Sequence, residues 1–572
     1  MFRSCGAAGL ALLLGAAAPP AVRGDRGMAV SADRAAAEVG AGILRAGGNA
    51  VDAAVAMGYA LAAVDPCCGN IGGGGFMTLR MADGRAAVVD FRETAPSAAS
   101  AAMFLGVDGK PVAGASLRGW RAAGIPGTVA GLDAALAAFG RMDRARVMAP
   151  AIRLAREGFA LSEGEADILA RSAGKLAGDA QARATYLRAD GTPHRPGETL
   201  VQPALAATLQ DIADRGDAAF YAGRIPQAIE AASGGALKAA DFAAYRAVIT
   251  APLACGYRGL SILAPPPPSS GGVTVCEILG VLRADDLHAL GFHGAASVHL
   301  LAEAMRHAFL DRNTYLGDPA FVPDATGWLL SDAHLSAIRA AIGPRATPSS
   351  DIAIGVAPHE RPETTAYAVT DAAGDAVSVT YTLNGYFGAG VTAPGAGFLL
   401  NDEMDDFTTA PGVPNMFGLV QGVRNAIAPG KRPLSSMAPV VVLRDGAPLY
   451  VLGSPGGSRI ITIVAQVLMD LTDHGMAPEE AVAAPRLHLQ YQPDTLFAEP
   501  FALSPDTQAL LRGMGYRIVE QAPWGAAELI AVAPPPKAGP RAGDDTTAKA
   551  AFAGRVAGAS DPRRPAGGAV AE

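Results

Sequence analysis

Residues 364–388, TTAYAVTDAAGDAVSVTYTLNGYFG, limit the fold more than any other stretch of this 572-residue chain. Two runs, 364–370 and 376–383, alternate with period two, as half-buried strands do, and DAAGD between them supplies a turn. Centring that turn on Ala373 sets Thr364 opposite Thr382. Opposed residues of an antiparallel pair share a face, so two hydroxyls meet at one end of the hairpin, with Asn384 just beyond on the same face. The hairpin follows a charged, proline-bearing segment, Arg361-Pro362-Glu363, and has no histidine, cysteine or glycine elbow. Thr–Thr pairs also serve as plain cross-strand packing, so this geometry alone leaves a purely structural role open.

Composition narrows the classes of function. Half of the residues are hydrophobic and 17% are charged, which suits a large core rather than disorder. The length fits about two to four domains or one composite fold. A net charge of −8 argues against nucleic acid as a partner, because such affinity leans on a lysine and arginine field. The opening MFRSCGAAGLALLLGAAAPPAVRG has a basic start and a short apolar run broken by Pro19 and Pro20. It reads as an export leader, assigned to residues 1–23 with the cut between Ala17 and Gly24, and predicts a periplasmic or extracellular protein. The run is too short for a stable membrane insertion. Past the leader, Cys67, Cys68, Cys255 and Cys276 lack zinc spacing, and Cys67 and Cys68 are expected to be small buried hydrophobes rather than a redox pair.

Two helices are expected over 30–63, the first capped by Ser31 or Asp33 and stopped at Gly47-Gly48. A hairpin is expected from 76–81 and 86–91 around Ala82-Asp83-Gly84. The glycines Gly72–Gly75 precede a strand and lack the Lys-Ser/Thr ending of a phosphate loop. Residues 129–246 read as mostly helical, and LAPPPPSSGG at 263–272 as an extended connector into another helix. His299, Glu303 and His307 recur every four residues, but that step fans them around the axis and no fourth ligand is evident. They are expected at the surface or in capping roles, and no metal is predicted. The stretch 534–545, PPPKAGPRAGDD, reads as a mobile loop or an insertion.

The segments GGNAVDAAVA, GNIGGGGFM, DFRETAP, PGTVAG, PPPSSGG, YLGDP, TYTLN, NDEMDDF, KRPLSSM and GSPGGSRI follow in this order along nearly the whole mature chain. In that order they resemble the gamma-glutamyltransferase family of N-terminal-nucleophile hydrolases. The resemblance implies an α+β, four-layer αββα sandwich built from two autoprocessed parts, 24–363 and 364–572, that stay associated. It implies a cut between Glu363 and Thr364, which gives Thr364 a free α-amino group. A threonine hydroxyl is a weak nucleophile, and an amine on the same residue, with an ordinary pKa near 8, supplies the base without histidine.

By the same resemblance, Thr364 takes the γ-glutamyl group, Thr382 hydrogen-bonds the nucleophile, and Gly456 and Gly457 offer N–H groups to the oxyanion. Asn384, Glu403 and Asp406 match the family's set for the substrate ammonium. Arg92, Ser435 and Ser436 match its set for the substrate carboxylate. Glutathione and its conjugates are the implied donors, water or an amino acid or peptide the acceptor, and no cofactor or metal is implied. Three departures stand out. Ala366 replaces a histidine of many relatives, Phe417 on the lid-like stretch 408–422 replaces a tyrosine, and DPCCGN lacks a histidine before the proline. Two other readings compete: an acylase of cephalosporins or glutaryl amides on the same fold, and a secreted binding protein that never cuts itself.

Overall fold

The computed structural model describes residues 19–349, 364–533 and 555–572. The leader up to residue 18, Glu363 and the stretch 534–545 lie outside the described residues. Two seven-stranded sheets, every neighbouring pair antiparallel, form the middle of the molecule. The first runs edge to edge as Gly568–Ala571, Met28–Ser31, Thr364–Thr370, Ala376–Thr382, Gly74–Arg80, Ala86–Asp90 and Val248–Thr250. The second runs Val22–Gly24, Val556–Ser560, Glu528–Val532, Ala447–Gly453, Val440–Arg444, Leu260–Ala264 and Leu253–Tyr257. Each sheet therefore mixes strands from before and after residue 364.

Alternation along the central strands creates the layers. In Thr364–Thr370, Ala368 packs between the sheets with Val30, Val441, Val451 and Ile530. Tyr367 and Val369 face the other way, into helices Ala50–Val64, Thr128–Phe139 and Arg144–Glu157. Outside the second sheet, Gly271–Leu282, Ala295–Tyr315 and Arg459–Thr472 close the stack. The result is an αββα sandwich, because a sheet with two apolar faces needs cover on both. Every residue of Ala50–Val64 is buried, and its small side chains let it lie close on the sheet, where Tyr381 donates to the Gly58 carbonyl at 2.9 Å. Asn49 and Asp52 close its N-terminus as a reciprocal capping box.

The hairpin register is the expected one, with Thr364 opposite Thr382 and Thr370 opposite Ala376. Its turn is organised by Asp371, whose Oδ1 accepts from the N–H groups of Ala373, Gly374 and Asp375 at 2.9–3.0 Å. Gly374 takes φ +95°, which explains the glycine in DAAGD. The helix pair at Arg34–Arg45 and Ala50–Val64, with Asp33 as the first cap, and the hairpin Gly74–Arg80/Ala86–Asp90 also lie where the periodicity put them.

Two expectations fail. Cys67 is bonded to Cys68 and Cys255 to Cys276, so Cys67 and Cys68 are buried as expected but paired. Cys255 and Cys276 come from a sheet edge and the helix packed on it, a proximity that sequence spacing cannot reveal. His299 and Glu303 are interior rather than surface or capping groups. His299 shares hydrogen bonds with the Tyr516 hydroxyl and the Gly343 carbonyl, both at 2.8 Å, and Glu303 pairs with Arg306 at 3.1 Å. The segment 343–349 covers this face of the helix: Ser349 accepts from Arg306 and Thr347 donates to Glu303. His307 is half-buried on the same helix and joins no metal cluster among the described residues.

Candidate active site

Thr364 opens a central strand at the end of the inter-sheet space, and Thr382 closes the strand beside it. Both are 3% exposed. The Thr382 hydroxyl accepts from the Asn384 N–H at 2.8 Å, which turns the chain sharply out of the sheet. Asn384 takes φ +75°, a conformation asparagine tolerates better than most residues. Its Nδ2 donates to the Asp402 carbonyl at 3.2 Å and approaches the Met416 sulfur at 3.6 Å. The glycine run Gly72–Gly75 lies behind this corner. A Cβ on Gly73 would stand 1.9 Å from the Thr382 carbonyl oxygen, and one on Gly72 2.0 Å from that of Leu399. Close backbone approach, not phosphate binding, accounts for those glycines.

Arg92, Thr364, Thr382, Asn384, Glu403, Asp406, Phe417, Ser435, Ser436 and Gly457 line one cavity of about 20 Å³, room for about one water. Gly456 adjoins it at the head of helix Arg459–Thr472, with φ +140° against +55° at Gly457. Among the described residues no oxygen accepts from the N–H of either glycine. The turn is packed under Phe417: a Cβ on Gly457 would meet that ring at 2.4 Å. Two N–H groups at a helix N-terminus favour an anion beside them.

The charged wall departs from the expected division of labour. Arg92, fully buried, pairs through Nη1 with Glu403 and through Nη2 with Asp406, with Glu93 at 3.5 Å. The two sets expected to hold opposite ends of one substrate thus neutralise each other across the cavity. Burial pushes the Glu403 and Asp406 carboxyls above the ordinary range, against the pull of Arg92. Glu93 is pushed up to about 7, again mainly by burial. Burial works against the Arg92 charge, but the three carboxylates outweigh it and hold the guanidinium above its usual value.

Ser435 and Ser436 line the same cavity. Ser436 accepts from Arg312 at 3.0 Å, and Ser435 is fixed by backbone pairing with the Pro268–Ser270 turn. Arg312, absent from the sequence expectations, is buried among neutral partners: Ser270 at 2.9 Å, Asn313 at 2.8 Å and Gln421 at 3.1 Å. Burial draws it down to about 10. Lys175 was also missed; it donates to the Tyr386 and Gly388 carbonyls and stands 4.0 Å from Asp402, whose Oδ1 accepts from Gly385. Both cations support the site loops from helices far away in sequence, and only their place among apolar helical positions hinted at them.

A buried threonine heading an inner strand of an αββα sandwich, facing a glycine turn and a charge cluster with no histidine lining the cavity among the described residues, defines the N-terminal-nucleophile hydrolase class. The chain belongs to the gamma-glutamyltranspeptidase family, whose model matches residues 36–571. The glutathione hydrolase proenzyme of Pseudomonas sp. (strain A14) is 47% identical over 556 residues, covering 96% of this chain and 95% of that one. The glutathione hydrolase proenzyme of Escherichia coli (strain K12) is 44% identical over 556 residues, covering 93% and 96%. Among solved structures, cephalosporin acylase from Bacillus halodurans superposes with a TM-score of 0.83 at 25% identity, covering 100% of this chain and 99% of that one.

Proposed function

We propose that the chain cuts itself between Glu363 and Thr364 and then cleaves γ-glutamyl amides through an acyl-threonine. The observation that carries this reading is the pairing of Thr364 with Thr382 in the cavity that also holds Arg92, Glu403 and Asp406. In maturation, the Thr364 hydroxyl adds to the Glu363 carbonyl, the C–N bond breaks as the nitrogen takes a proton, and water hydrolyses the ester. The freed amine then accepts the hydroxyl proton as Thr364 attacks a γ-glutamyl carbonyl, and delivers it to the leaving amine. Water or an amino acid or peptide amine takes the glutamyl group in the second step. No cofactor enters this scheme. Glutathione, on which the relatives named above act by their names, is the proposed donor.

The two parts, which meet at Glu363 and Thr364, stay together in this reading because both supply strands to each sheet. Val22–Gly24 pairs with Val556–Gly558, which favours a leader ending before Val22, inside the expected window. We assign export to the periplasm or medium on the basic start and short apolar run of the first residues; separately, no helix among the described residues is long and apolar enough to cross a membrane.

A bound glutamyl group would insert its ammonium between Asn384, Glu403 and Asp406 and its carboxylate beside Arg92, Ser435 and Ser436, exchanging one set of ion pairs for another. The acylase alternative needs no ammonium site, and the buried acids argue against it. Initial rates on γ-glutamyl and glutaryl anilides test the choice: a clear preference for γ-glutamyl is expected, and a preference for glutaryl would reverse it.

Two further results are expected. Gly457→Ala should lower kcat about a hundredfold or more, because the methyl group collides with Phe417 and φ +55° disfavours alanine, moving a donor off the oxyanion. Single-turnover acylation rates check this. Phe417→Tyr restores a hydroxyl at the cavity edge, and one hydrogen bond is worth about 0.5–1.5 kcal/mol. The ratio of transfer to hydrolysis with a dipeptide acceptor should therefore shift by about two- to tenfold.

A further inference from the structure

Three helices of the outer layer converge on a second group of polar side chains, outside the catalytic cavity. Glu277 projects from Gly271–Leu282, Asp311 from Ala295–Tyr315 and His334 from Asp332–Ala341. One ligand atom from each lies within 4.8 Å of the others. His334 Nε2 is 2.7 Å from Asp311 Oδ2 and 4.0 Å from Glu277 Oε1. The imidazole is oriented by Trp328, with ring centroids 4.2 Å apart, and its helix is capped by Ser331.

Glu277 makes the cluster unusual. It is 1% exposed, and its Oε1 has no hydrogen-bond partner, yet it faces the imidazole. No arginine or lysine pairs with Glu277 or Asp311 among the described residues. The cations nearby are engaged elsewhere, Arg283 with Asp332 and Arg339 with Asp285. A buried carboxyl oxygen without a partner is costly. A proton shared between two carboxyl groups satisfies one oxygen of each and leaves the other exposed to that cost. A divalent cation satisfies both acids at once and uses the imidazole as well.

We infer that Glu277, Asp311 and His334 form a binding site for a divalent cation of the zinc class. One imidazole nitrogen and two carboxylate oxygens are a borderline-hard donor set, which suits zinc better than calcium or magnesium. Ligation by Nε2 requires that nitrogen to be unprotonated, so binding moves the ring proton to Nδ1. The cation ties three helices together, with a water completing its four-coordinate shell.

The test is zinc content and thermal unfolding of the mature protein after chelator treatment, dialysis and addition of zinc, compared with Glu277→Gln and His334→Gln. The wild type should retain one zinc per chain pair and unfold about 2 °C higher with zinc than without. Both variants should lose the zinc and the increment. Hydrolysis of a γ-glutamyl anilide should be unchanged in both. Wild-type protein that retains no zinc, or variants that retain as much as wild type, would overturn the site.

Discussion

Thr364→Ala is expected to leave the chain unbroken on a denaturing gel after prolonged incubation, and to reduce γ-glutamyl transfer by about ten-thousandfold or more. Both losses follow from one atom, because the hydroxyl that opens the peptide bond also carries the acyl group. Thr364→Ser keeps a hydroxyl and should still cut itself, at a reduced rate. Thr364 is buried at a strand end, so alanine removes little packing and the variant should fold. Circular dichroism and the gel together separate a folded, uncut chain from a misfolded one. An alanine variant that cuts itself normally would remove the basis for treating the hydroxyl as the nucleophile.

The second large effect is expected at Arg92. Arg92→Gln leaves Glu93, Glu403 and Asp406 buried around a neutral side chain. Removing one partner of a buried ion pair costs about 3–5 kcal/mol. The same change removes the cation proposed for the substrate carboxylate, so kcat/KM for a γ-glutamyl donor should fall by about a hundredfold or more. The pH dependence has a definite sign. Glu93 has a folded value raised to about 7, so the folded protein holds a proton that the unfolded chain releases at lower pH. Its contribution to stability is full in the acid range and is lost as pH rises through about 7. Without Arg92 the three acids are raised further, and the decline should be steeper in the variant. Urea unfolding of both proteins between pH 5 and pH 8 measures it; equal slopes would show that Arg92 does not compensate these acids.

The hairpin was legible because period-two alternation and a five-residue turn leave only one register that keeps both apolar faces buried. The first helix pair was legible from its caps and from the apolar run of 50–64. Ala366, a departure from relatives at sequence level, has a packing explanation in the fold. It lies between the sheets, with its Cβ 3.4 Å from where a Cβ on Gly453 would stand. A small residue there is matched by a glycine across the gap. Less legible were relations between distant segments. The neutral cage of Arg312 is assembled from residues 270, 313, 421 and 436, and no periodicity links them. Arg92 carried the expected charge, but its pairing with Glu403 and Asp406 depends on how a loop after the hairpin folds back. His299 and Glu303 read as exposed because the segment that buries them, 343–349, has no regular pattern of its own.

A free amine and a hydroxyl on one residue are what this enzyme chemistry requires, and the N-terminus of the smaller fragment reports on both. Edman sequencing of that fragment from purified, active protein should begin Thr-Thr-Ala-Tyr, at residue 364. A different first residue, or full activity in a chain that has no second N-terminus, would contradict the account.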